Sequence, residues 1–235
     1  MSSARRIISL VPSSTETLLG LGGNVIACTK FCEQPDIAHV GGTKNPDIQA
    51  IIDLAPDVVV LDREENRRED AEALEAAGIE LFVSDVTDVA SAMMVVAELS
   101  VLVGGPAVID IDRLLHVEPL GLSVFVPIWR RPWMSISAAT YGGSLLAHLG
   151  CRMVTGGAPT AYPEVELADV EAPDVVAVPS EPYEFTDDHL DELRGAFPTS
   201  VVVRVDGQDL FWWGSRTPGA VNRLGEALRD VVGTS

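Results

Sequence analysis

Basic residues are scarce in this sequence. Its 235 residues include 16 Lys and Arg against 35 Asp and Glu, which gives a formal net charge of −19 at pH 7. Surfaces that bind nucleic acid or anionic membranes need clustered Lys and Arg. The composition therefore predicts a protein with no nucleic-acid partner, and it places no limit on the fold.

Long apolar runs are also missing. The longest, residues 89–103, contains Glu98 and is too short for a membrane-spanning helix, so no membrane insertion is expected. The opening MSSARRIISLVP lacks the apolar core and cleavage site of a secretory signal. We expect a soluble monomer that is cytoplasmic as written, or extracytoplasmic if a leader has been removed.

Signatures of catalysis and of metal binding are absent. The sequence has no GxGxxG, P-loop, HExxH or GxSxG motif. Its three cysteines exclude a full disulfide framework, and the spacing of Cys28 and Cys32 fits no zinc site, so we expect buried, inert thiols. Glu181 and Glu184 could form an acid–base pair, which keeps an enzyme as one alternative. The sequence favours a non-catalytic protein without a cofactor.

Short β-rich runs alternate with helical patterns along the chain. Continuous Val/Ile runs separated by helices are typical of parallel sheets covered on both faces, so we predict an α/β fold with two Rossmann-like lobes. The predicted strands are 7–11, 25–29, 57–61, 80–84, 123–128, 174–179 and 201–205, and the predicted helices lie near 14–21, 47–54, 67–77, 140–149, 165–171, 187–195 and 217–232.

One short sequence motif, which we call the repeated line, occurs twice, about half a chain apart. APDVVV at 55–60 matches APDVVAV at 172–178, and each copy follows a helical pattern that a proline ends. We interpret the copies as equivalent helix-to-strand units of two similar lobes, with coincidence as the alternative.

The apolar residues 88–103 predict a helix between the two halves. Asp88 can cap it and Gly104-Gly105 can end it, and its apolar surface should be covered on more than one side. A helix that joins two lobes fits this pattern, and so does an ordinary core helix. The predicted domains are an N-terminal lobe over 1–87, a connecting helical segment over 88–118 and a C-terminal lobe over 119–235.

The residues that follow the strands are the natural place to look for a ligand, because strand ends and helix starts meet at a cleft in such folds. Ser13 has capping-box spacing to Glu16. All four tryptophans lie in two segments that we predict to be loops, and each segment carries arginine. Tryptophan beside arginine suits a large, flat, partly apolar ligand.

Three segments and a short motif carry a family resemblance. RIISLVPSSTETLLGLG, VGGTKNPDIQAIIDLAPDVVVLDREENRRED and YPEVELADVEAPDVVAVPSEPYEF, with FWWGSRTP, resemble the substrate-binding proteins of cobalamin and iron–siderophore uptake, also called helical-backbone metal receptors. The resemblance covers nearly the whole chain and is strongest to the cobalamin-binding branch. It implies two α/β lobes joined by one rigid helix, with the ligand in the cleft between them.

The resemblance also implies which residues bind the ligand. Phe31 and Trp212 fall where cobalamin binders place aromatic residues against the corrin, and Trp129 and Trp133 lie in a loop that lines the second lobe. The full set of predicted ligand-binding residues is Ser13, Ser14, Phe31, Arg63, Glu65, Asn66, Trp129, Trp133, Tyr183, Phe185, Trp212, Trp213 and Arg216.

The function implied by the resemblance is non-catalytic binding of a metal-containing macrocycle or chelate for uptake by an ABC transporter. A corrinoid such as cobalamin is favoured, and haem and ferric siderophores are alternatives. In the family a glutamate of each lobe docks on the permease. The second lobe keeps this residue as Glu166, whereas the first has Gln49.

The sequence departs from the family pattern at other places too. Thr43-Lys44 stands where cobalamin binders have a tryptophan. The connecting helix of the family is longer than residues 88–103, so a second helical piece is predicted over 111–117. Gln49 and the lack of a visible leader favour one more alternative, a cytoplasmic sensing or interaction protein that kept the fold without transport.

Overall fold

Two parallel β-sheets, one in each half of the chain, organise the computed structural model, which describes residues 4–106 and 117–232. Residue contacts divide the chain into two units. The first comprises the described residues up to Val86, those from Ala90 to 106, and Trp213–Ser215; the second comprises the rest. The α/β class and the parallel sheets predicted from the sequence are confirmed.

The first unit contains a five-stranded parallel sheet in the order β3-β2-β1-β6-β7. Its core packs Ile8 and Leu10 against Val59, Leu61 and Leu74. The strands are β1 (Ile7–Ser9), β2 (Val25–Cys28), β3 (Ala38–His39), the hairpin β4 (Gly41–Gly42) and β5 (Asn45–Pro46), β6 (Val58–Asp62) and β7 (Leu81–Ser84); the helices are α1 (Pro12–Gly20), α2 (Ile48–Asp53), α3 (Arg68–Ala76) and α4 (Val89–Leu102).

The second unit contains a four-stranded parallel sheet in the order β11-β8-β13-β14 and an antiparallel sheet in the order β12-β10-β9. Its core includes Phe125, Val176, Val178 and Phe197. The strands are β8 (Ser123–Phe125), β9 (Pro127–Trp129), β10 (Trp133–Ser135), β11 (Arg152–Met153), β12 (Glu164–Val165), β13 (Val175–Pro179) and β14 (Val201–Val205); the helices are α5 (Tyr141–His148), α6 (Asp187–Ala196), α7 (Gly207–Phe211) and α8 (Thr217–Val232).

The repeated Pro-Asp-Val-Val line has the same local role in both units. The Asp57 carboxylate accepts a hydrogen bond of 2.7 Å from the N–H of Arg6, directly before β1. The Asp174 carboxylate accepts one of 2.7 Å from the N–H of Ser123, at the start of β8. In each unit the aspartate therefore ties the strand that follows it to the neighbouring parallel strand.

The helix predicted over 165–171 is wrong. These residues instead continue from strand β12 into a single 3₁₀ turn, Leu167–Asp169. In the first copy the Asp47 side chain caps α2 by accepting from the N–H of Ala50, 3.0 Å away. In the second copy the side chain of Glu166 makes no capping bond, and Val165 is paired with Trp133 in a sheet. Capping and strand pairing together explain the difference.

The capping box predicted at Ser13 and Glu16 is also wrong. Helix α1 begins at Pro12, and Val11 is its N-cap without a side-chain hydrogen bond. Proline suits the first helical position because its fixed φ is helical and its missing N–H would have no partner there. Ser13 therefore lies inside the first turn.

The prediction that no tryptophan lies in a regular element is wrong as well. Trp129 ends strand β9 and Trp133 begins strand β10, so both belong to the antiparallel sheet. Trp133 and Trp213 are buried, whereas Trp129 is exposed. Only part of the predicted tryptophan set therefore faces solvent.

Helix α4 ends as the sequence predicts. The N–H of Gly104 donates to the carbonyl of Val101 and that of Gly105 to Ser100, with Gly104 in the left-handed region at φ +87°. Met94 and Val101 are exposed, so one stripe of this apolar helix is not covered. The second helical piece predicted over 111–117 falls outside the described residues apart from Val117. Among the helices that are described, none has the length and apolar content needed to cross a bilayer.

Candidate ligand-binding site

Aromatic side chains follow three parallel strands of the second unit. Strands β8, β13 and β14 run parallel, so their carboxyl ends lie at one edge of the sheet. The chain leaves β8 towards Trp129, β13 into residues 180–185, and β14 through α7 to Trp212. This edge is where ligands bind in open α/β sheets.

Residues 180–185 contact the two indoles that are not fully buried, those of Trp129 and Trp212. The Tyr183 ring meets the Trp129 ring edge-on at a centroid distance of 5.0 Å. The Glu181 carboxylate accepts a hydrogen bond of 2.7 Å from the Trp212 indole N–H. Trp129 is 45% exposed, and Tyr183 and Trp212 are half-buried. We call Trp129, Tyr183 and Trp212 the aromatic surface.

Two of the predicted ligand-binding aromatics lie underneath this surface. Phe185 contacts Tyr183 at 4.8 Å and stacks on Trp133 at 5.9 Å with the rings almost parallel. The Trp133 indole N–H donates to Glu192, which also forms a two-pronged ion pair with Arg130 at 2.9 Å for each bond. Both rings are buried, so they support the aromatic surface and do not form part of it.

Arg216 covers one side of Trp212. Its guanidinium carbon lies 5.2 Å from the indole centroid, a cation–π contact. The same guanidinium donates to Gln208 at 3.3 Å and lies 3.8 Å from the buried Asp209. Asp209 in turn accepts two bonds of 2.6 Å from Arg223. A chain of charged contacts therefore holds Arg216 and Trp212 in place.

Three residues that hold Arg216 in place were not predicted from the sequence: Gln208, Asp209 and Arg223. The ion pair joins α7 to α8 across a loop, so no fixed helical spacing marks it. An acid in the otherwise apolar stretch DLFWW is the sequence feature that could have indicated this ion pair.

Trp213 does not belong with the other tryptophans. It groups with the first unit, together with Gly214 and Ser215, and its indole is buried. In that unit the N–H of Ser215 donates to the Thr17 hydroxyl at 3.1 Å. Gly214 has φ +124°, and a Cβ there would lie 2.0 Å from the same hydroxyl, so only glycine fits. Trp213 therefore acts in packing.

The first unit presents its own set of side chains at the carboxyl ends of β2, β1 and β6. Phe31 follows β2 and is 51% exposed, with the Lys30 ammonium 5.0 Å from its ring centroid. Ser13 and Ser14 follow β1 but are buried in the first turn of α1. Within the described part of the chain, the Ser14 hydroxyl has no hydrogen-bond partner. Phe31 is therefore accessible to a ligand, whereas the two serines that follow β1 are not.

Asn66 holds three segments of the first unit together. Its side-chain carbonyl accepts from the N–H of Asp62 at 2.8 Å, and its amide donates to the carbonyls of Thr43 at 3.0 Å and Leu10 at 3.3 Å. Its polar atoms are thus used within the fold, and it positions the loops after β1 and β6. Arg63 and Glu65 are exposed, and Arg63 pairs with Asp85 at 3.2 Å.

Asp62 is a buried acid at the end of β6. Desolvation raises its pKa above the ordinary value, although hydrogen bonds from the Ser84 hydroxyl at 2.7 Å and the Glu64 N–H at 2.9 Å favour the carboxylate. Within residues 4–106 and 117–232, no three His, Cys, Asp or Glu side chains are grouped so that they could hold a metal ion.

The two residues predicted to dock on a partner are both exposed. Gln49 lies on α2 and its amide donates to the Asp53 carboxylate at 2.7 Å. Glu166 precedes the 3₁₀ turn of the second unit, and its side chain does not cap that turn. Each residue stands just before the repeated line of its own unit.

Comparison with known proteins gives matches in sequence and in structure. No family model matches the chain. The vitamin B12-binding protein of Yersinia pestis (strain Pestoides F) is 33% identical over 93 residues, which are 37% of this chain and 33% of that protein. The chain thus covers only 33% of the length of the curated relatives that it matches.

The structural matches extend over nearly the full length of this chain and of each matched protein. The periplasmic vitamin B12 binding protein of Vibrio cholerae superimposes with a TM-score of 0.80 at 18% identity, over 97% of this chain and 98% of that one. A periplasmic heme binding protein from Pseudomonas aeruginosa gives 0.78 at 18% identity, over 96% and 93%. The chain has the fold of these periplasmic binding proteins. The α/β fold implied by the resemblance is therefore confirmed, and the partial sequence match to a vitamin B12-binding protein agrees with that resemblance.

Proposed function

We propose that the protein binds a metal-containing macrocycle or chelate without transforming it, and that a corrinoid is the favoured ligand. The observation that carries the proposal is the aromatic surface at the carboxyl edge of the second sheet. Its three rings, Trp129, Tyr183 and Trp212, come from three separate segments. The segment that carries Tyr183, residues 180–185, contacts both Trp129 and Trp212. One exposed indole beside a half-buried phenol and a half-buried indole suits a wide, flat, partly apolar ligand.

The chemistry around the surface supports a ligand that also carries polar groups. Arg216 lies against Trp212 and is braced by Gln208 and Asp209, so its charge is held at a fixed place. A fixed guanidinium binds carboxylate, phosphate or amide oxygens better than a mobile one, because less side-chain entropy is lost on binding. Haem and ferric siderophores remain alternatives on the same grounds.

Binding without catalysis fits the position of the acids. Glu181, one of the two carboxylates considered as an acid–base pair, accepts the Trp212 indole N–H. Glu184 is exposed. We assign Glu181 to the positioning of Trp212, and the named relatives are binding proteins as well.

Uptake by an ABC transporter is part of the proposal. Proteins with this fold are described as periplasmic, so we propose an extracytoplasmic location for the mature chain. The exposed carboxylate of Glu166 suits a basic partner surface, whereas the neutral Gln49 offers only its amide. Fractionation of the native cell tests the location. Recovery in the cytoplasmic fraction would favour the alternative of a sensing protein.

Tryptophan fluorescence tests the binding proposal. The protein is titrated with cobalamin, cobinamide, haem and ferric siderophores, and saturable quenching is expected with at least one of them. Trp129→Ala should weaken that binding, and Tyr162→Ala, which removes an exposed aromatic outside the aromatic surface, serves as the control. If none of the four ligands saturates the signal, the proposed function is wrong.

A further inference from the structure

Two thiols of the first unit flank the turn that carries Phe31. Cys28 ends β2, and Cys32 closes the turn, with its N–H donating to the carbonyl of Thr29 at 3.1 Å. Both cysteines are free and buried. The proposed ligand site does not use either of them.

The backbone of this turn is already fixed on both sides. The N–H of Val40 donates to the carbonyl of Cys28, and the N–H of Lys30 donates to Gly41, each at 2.9 Å. The N–H of Phe31 donates to the Thr29 hydroxyl at 3.3 Å. The turn therefore holds Cys32 next to the strand end that carries Cys28.

The surroundings of the two sulfur atoms differ. The sulfur of Cys32 lies 3.2 Å from the hydroxyl of Thr15 and 3.2 Å from that of Thr29. Hydrogen bonding from the Cys28 thiol, and then from these hydroxyls, lowers the pKa of Cys32 against the effect of burial. The same thiol–thiol contact, with burial, raises the pKa of Cys28. The two hydroxyls beside the Cys32 sulfur can donate hydrogen bonds to a thiolate, so Cys32 is the thiol placed to act as the nucleophile.

We propose that Cys28 and Cys32 form a disulfide when the chain folds in an oxidising compartment, and that this bond fixes the turn that presents Phe31. The bond would close a small ring containing Thr29, Lys30 and Phe31. Oxidation takes place during folding, after the turn has formed and before the two thiols are covered, because both are buried in the folded protein. The link to ligand binding rests on the function proposed above; the bond itself does not.

The oxidant is a small disulfide such as oxidised glutathione. The Cys32 thiolate attacks one of its sulfur atoms, forms a mixed disulfide and releases one glutathione thiolate. Cys28 then loses its proton to the buffer and attacks the Cys32 sulfur, which releases the second glutathione thiolate. The protein loses two electrons, and one oxidised glutathione becomes two reduced ones.

The first experiment counts thiols and needs no ligand. Reduced, denatured protein is refolded in glutathione buffers of increasing oxidising power, quenched with acid, and alkylated in denaturant. We expect the three thiols of the chain to fall to one, with the two lost hydrogens located by mass in the peptide that contains both cysteines. Cys151→Ser, in the other unit, should fall from two thiols to none.

Three results would overturn the assignment. These are three thiols at every buffer composition, a glutathione adduct that persists on Cys32, and a disulfide that includes Cys151. Refolding starts from denatured protein, in which the thiols are accessible to the oxidant. A negative result can therefore not be attributed to burial of the thiols in the native state.

The second experiment measures ligand affinity in the reduced and the oxidised protein, with cobinamide and haem as probes. The oxidised form should bind tighter by about threefold to tenfold, because a turn that is ordered in advance loses less entropy on binding. Cys28→Ala and Cys32→Ser should each abolish the difference. Equal affinity of the two forms would overturn the link to Phe31. Disulfide formation without binding of any probe would count against the proposed function and leave the disulfide standing.

Discussion

At the scale of single residues, burial separates tryptophans that look alike in the sequence. Trp129 is 45% exposed, whereas Trp133, four residues later, is 8% exposed and stacks on Phe185. The sequence shows that aromatic and cationic residues are clustered, which is why a candidate site could be proposed from it. It does not show which rings are covered, because that depends on Glu192 and Phe185, distant in the chain.

Trp129 and Trp133 should therefore respond differently to truncation. Trp133→Ala should lower the free energy of unfolding by about 3–5 kcal/mol, since a large buried ring is lost. Trp129→Ala should change it by less than about 1 kcal/mol but weaken ligand binding by about tenfold or more. Urea unfolding and fluorescence titration measure the two effects. If Trp129→Ala were the more destabilising change, the assignment of surface and support would be reversed.

A second prediction at this scale concerns the buried Asp62. Because desolvation raises its pKa, the folded state binds more protons than the unfolded state between the two pKa values. The contribution of Asp62 to stability therefore falls as the pH rises from about 4 and becomes constant above the folded-state pKa.

Asp62→Asn removes this dependence and keeps one acceptor oxygen, which can replace either the oxygen bonded to the Ser84 hydroxyl or the one bonded to the Glu64 N–H. The free energy of unfolding of the variant, relative to the parent, should rise with pH across that window. Urea unfolding at a series of pH values measures the difference. Asp36→Asn, which changes an exposed acid that does not contribute to the pKa of Asp62, is the control. A difference for Asp62→Asn that does not change with pH would contradict the prediction.

At the scale of elements, the strands were easier to predict than the short helices. Val58–Asp62 and Val175–Pro179 are fully buried and rich in valine, and such runs are recognisable as strands from the sequence. The segment 165–171 has a helical pattern, yet Val165 pairs with Trp133 and the chain makes one 3₁₀ turn. A cross-strand partner that is distant in sequence decided the outcome, and no local pattern contains it.

The repeated aspartates carry the next prediction. Asp174 accepts from the hydroxyl of Ser123 at 2.6 Å and from its N–H, and these bonds lower the pKa of Asp174. Asp174→Ala should cost about 1 kcal/mol at pH 7, because the hydrogen bonds are solvent-exposed. The contribution is present above the unfolded-state pKa and is lost as the pH falls through the folded-state pKa, so the cost should shrink in acid.

Hydrogen exchange can locate the effect within the fold. Asp174→Ala should reduce protection at Ser123–Phe125, which is β8, and leave Ile7–Ser9, which is β1, unchanged. Asp57→Ala should do the reverse, because Asp57 bonds to the N–H of Arg6. Each variant is thus the control for the other. Equal loss of protection in both strands would show that the aspartates act only through global stability.

At the scale of the whole molecule, the α/β class and the repetition could be predicted, because both are visible in local sequence patterns. It did not reveal that Trp213–Ser215 groups with the first unit. That assignment depends on Gly214 fitting against Thr17 and on the bond from Ser215 to the same hydroxyl. These contacts join residues almost two hundred positions apart, and no sequence pattern encodes them.

The net charge of −19 should make the folded state sensitive to salt. Like charges packed on one molecule repel each other, and salt shortens the range of the repulsion to about 10 Å at 0.1 M and about 3 Å at 1 M. Raising sodium chloride from about 0.02 M to about 0.3 M at pH 7 should therefore raise the Tm by about 2–5 °C, which corresponds to about 1 kcal/mol for a chain of this size. The measurement is a thermal scan by circular dichroism.

Near pH 4.4 the chain carries no net charge, and the salt-induced rise should disappear there. An equal rise at both pH values would mean that the screened repulsion is not what limits stability.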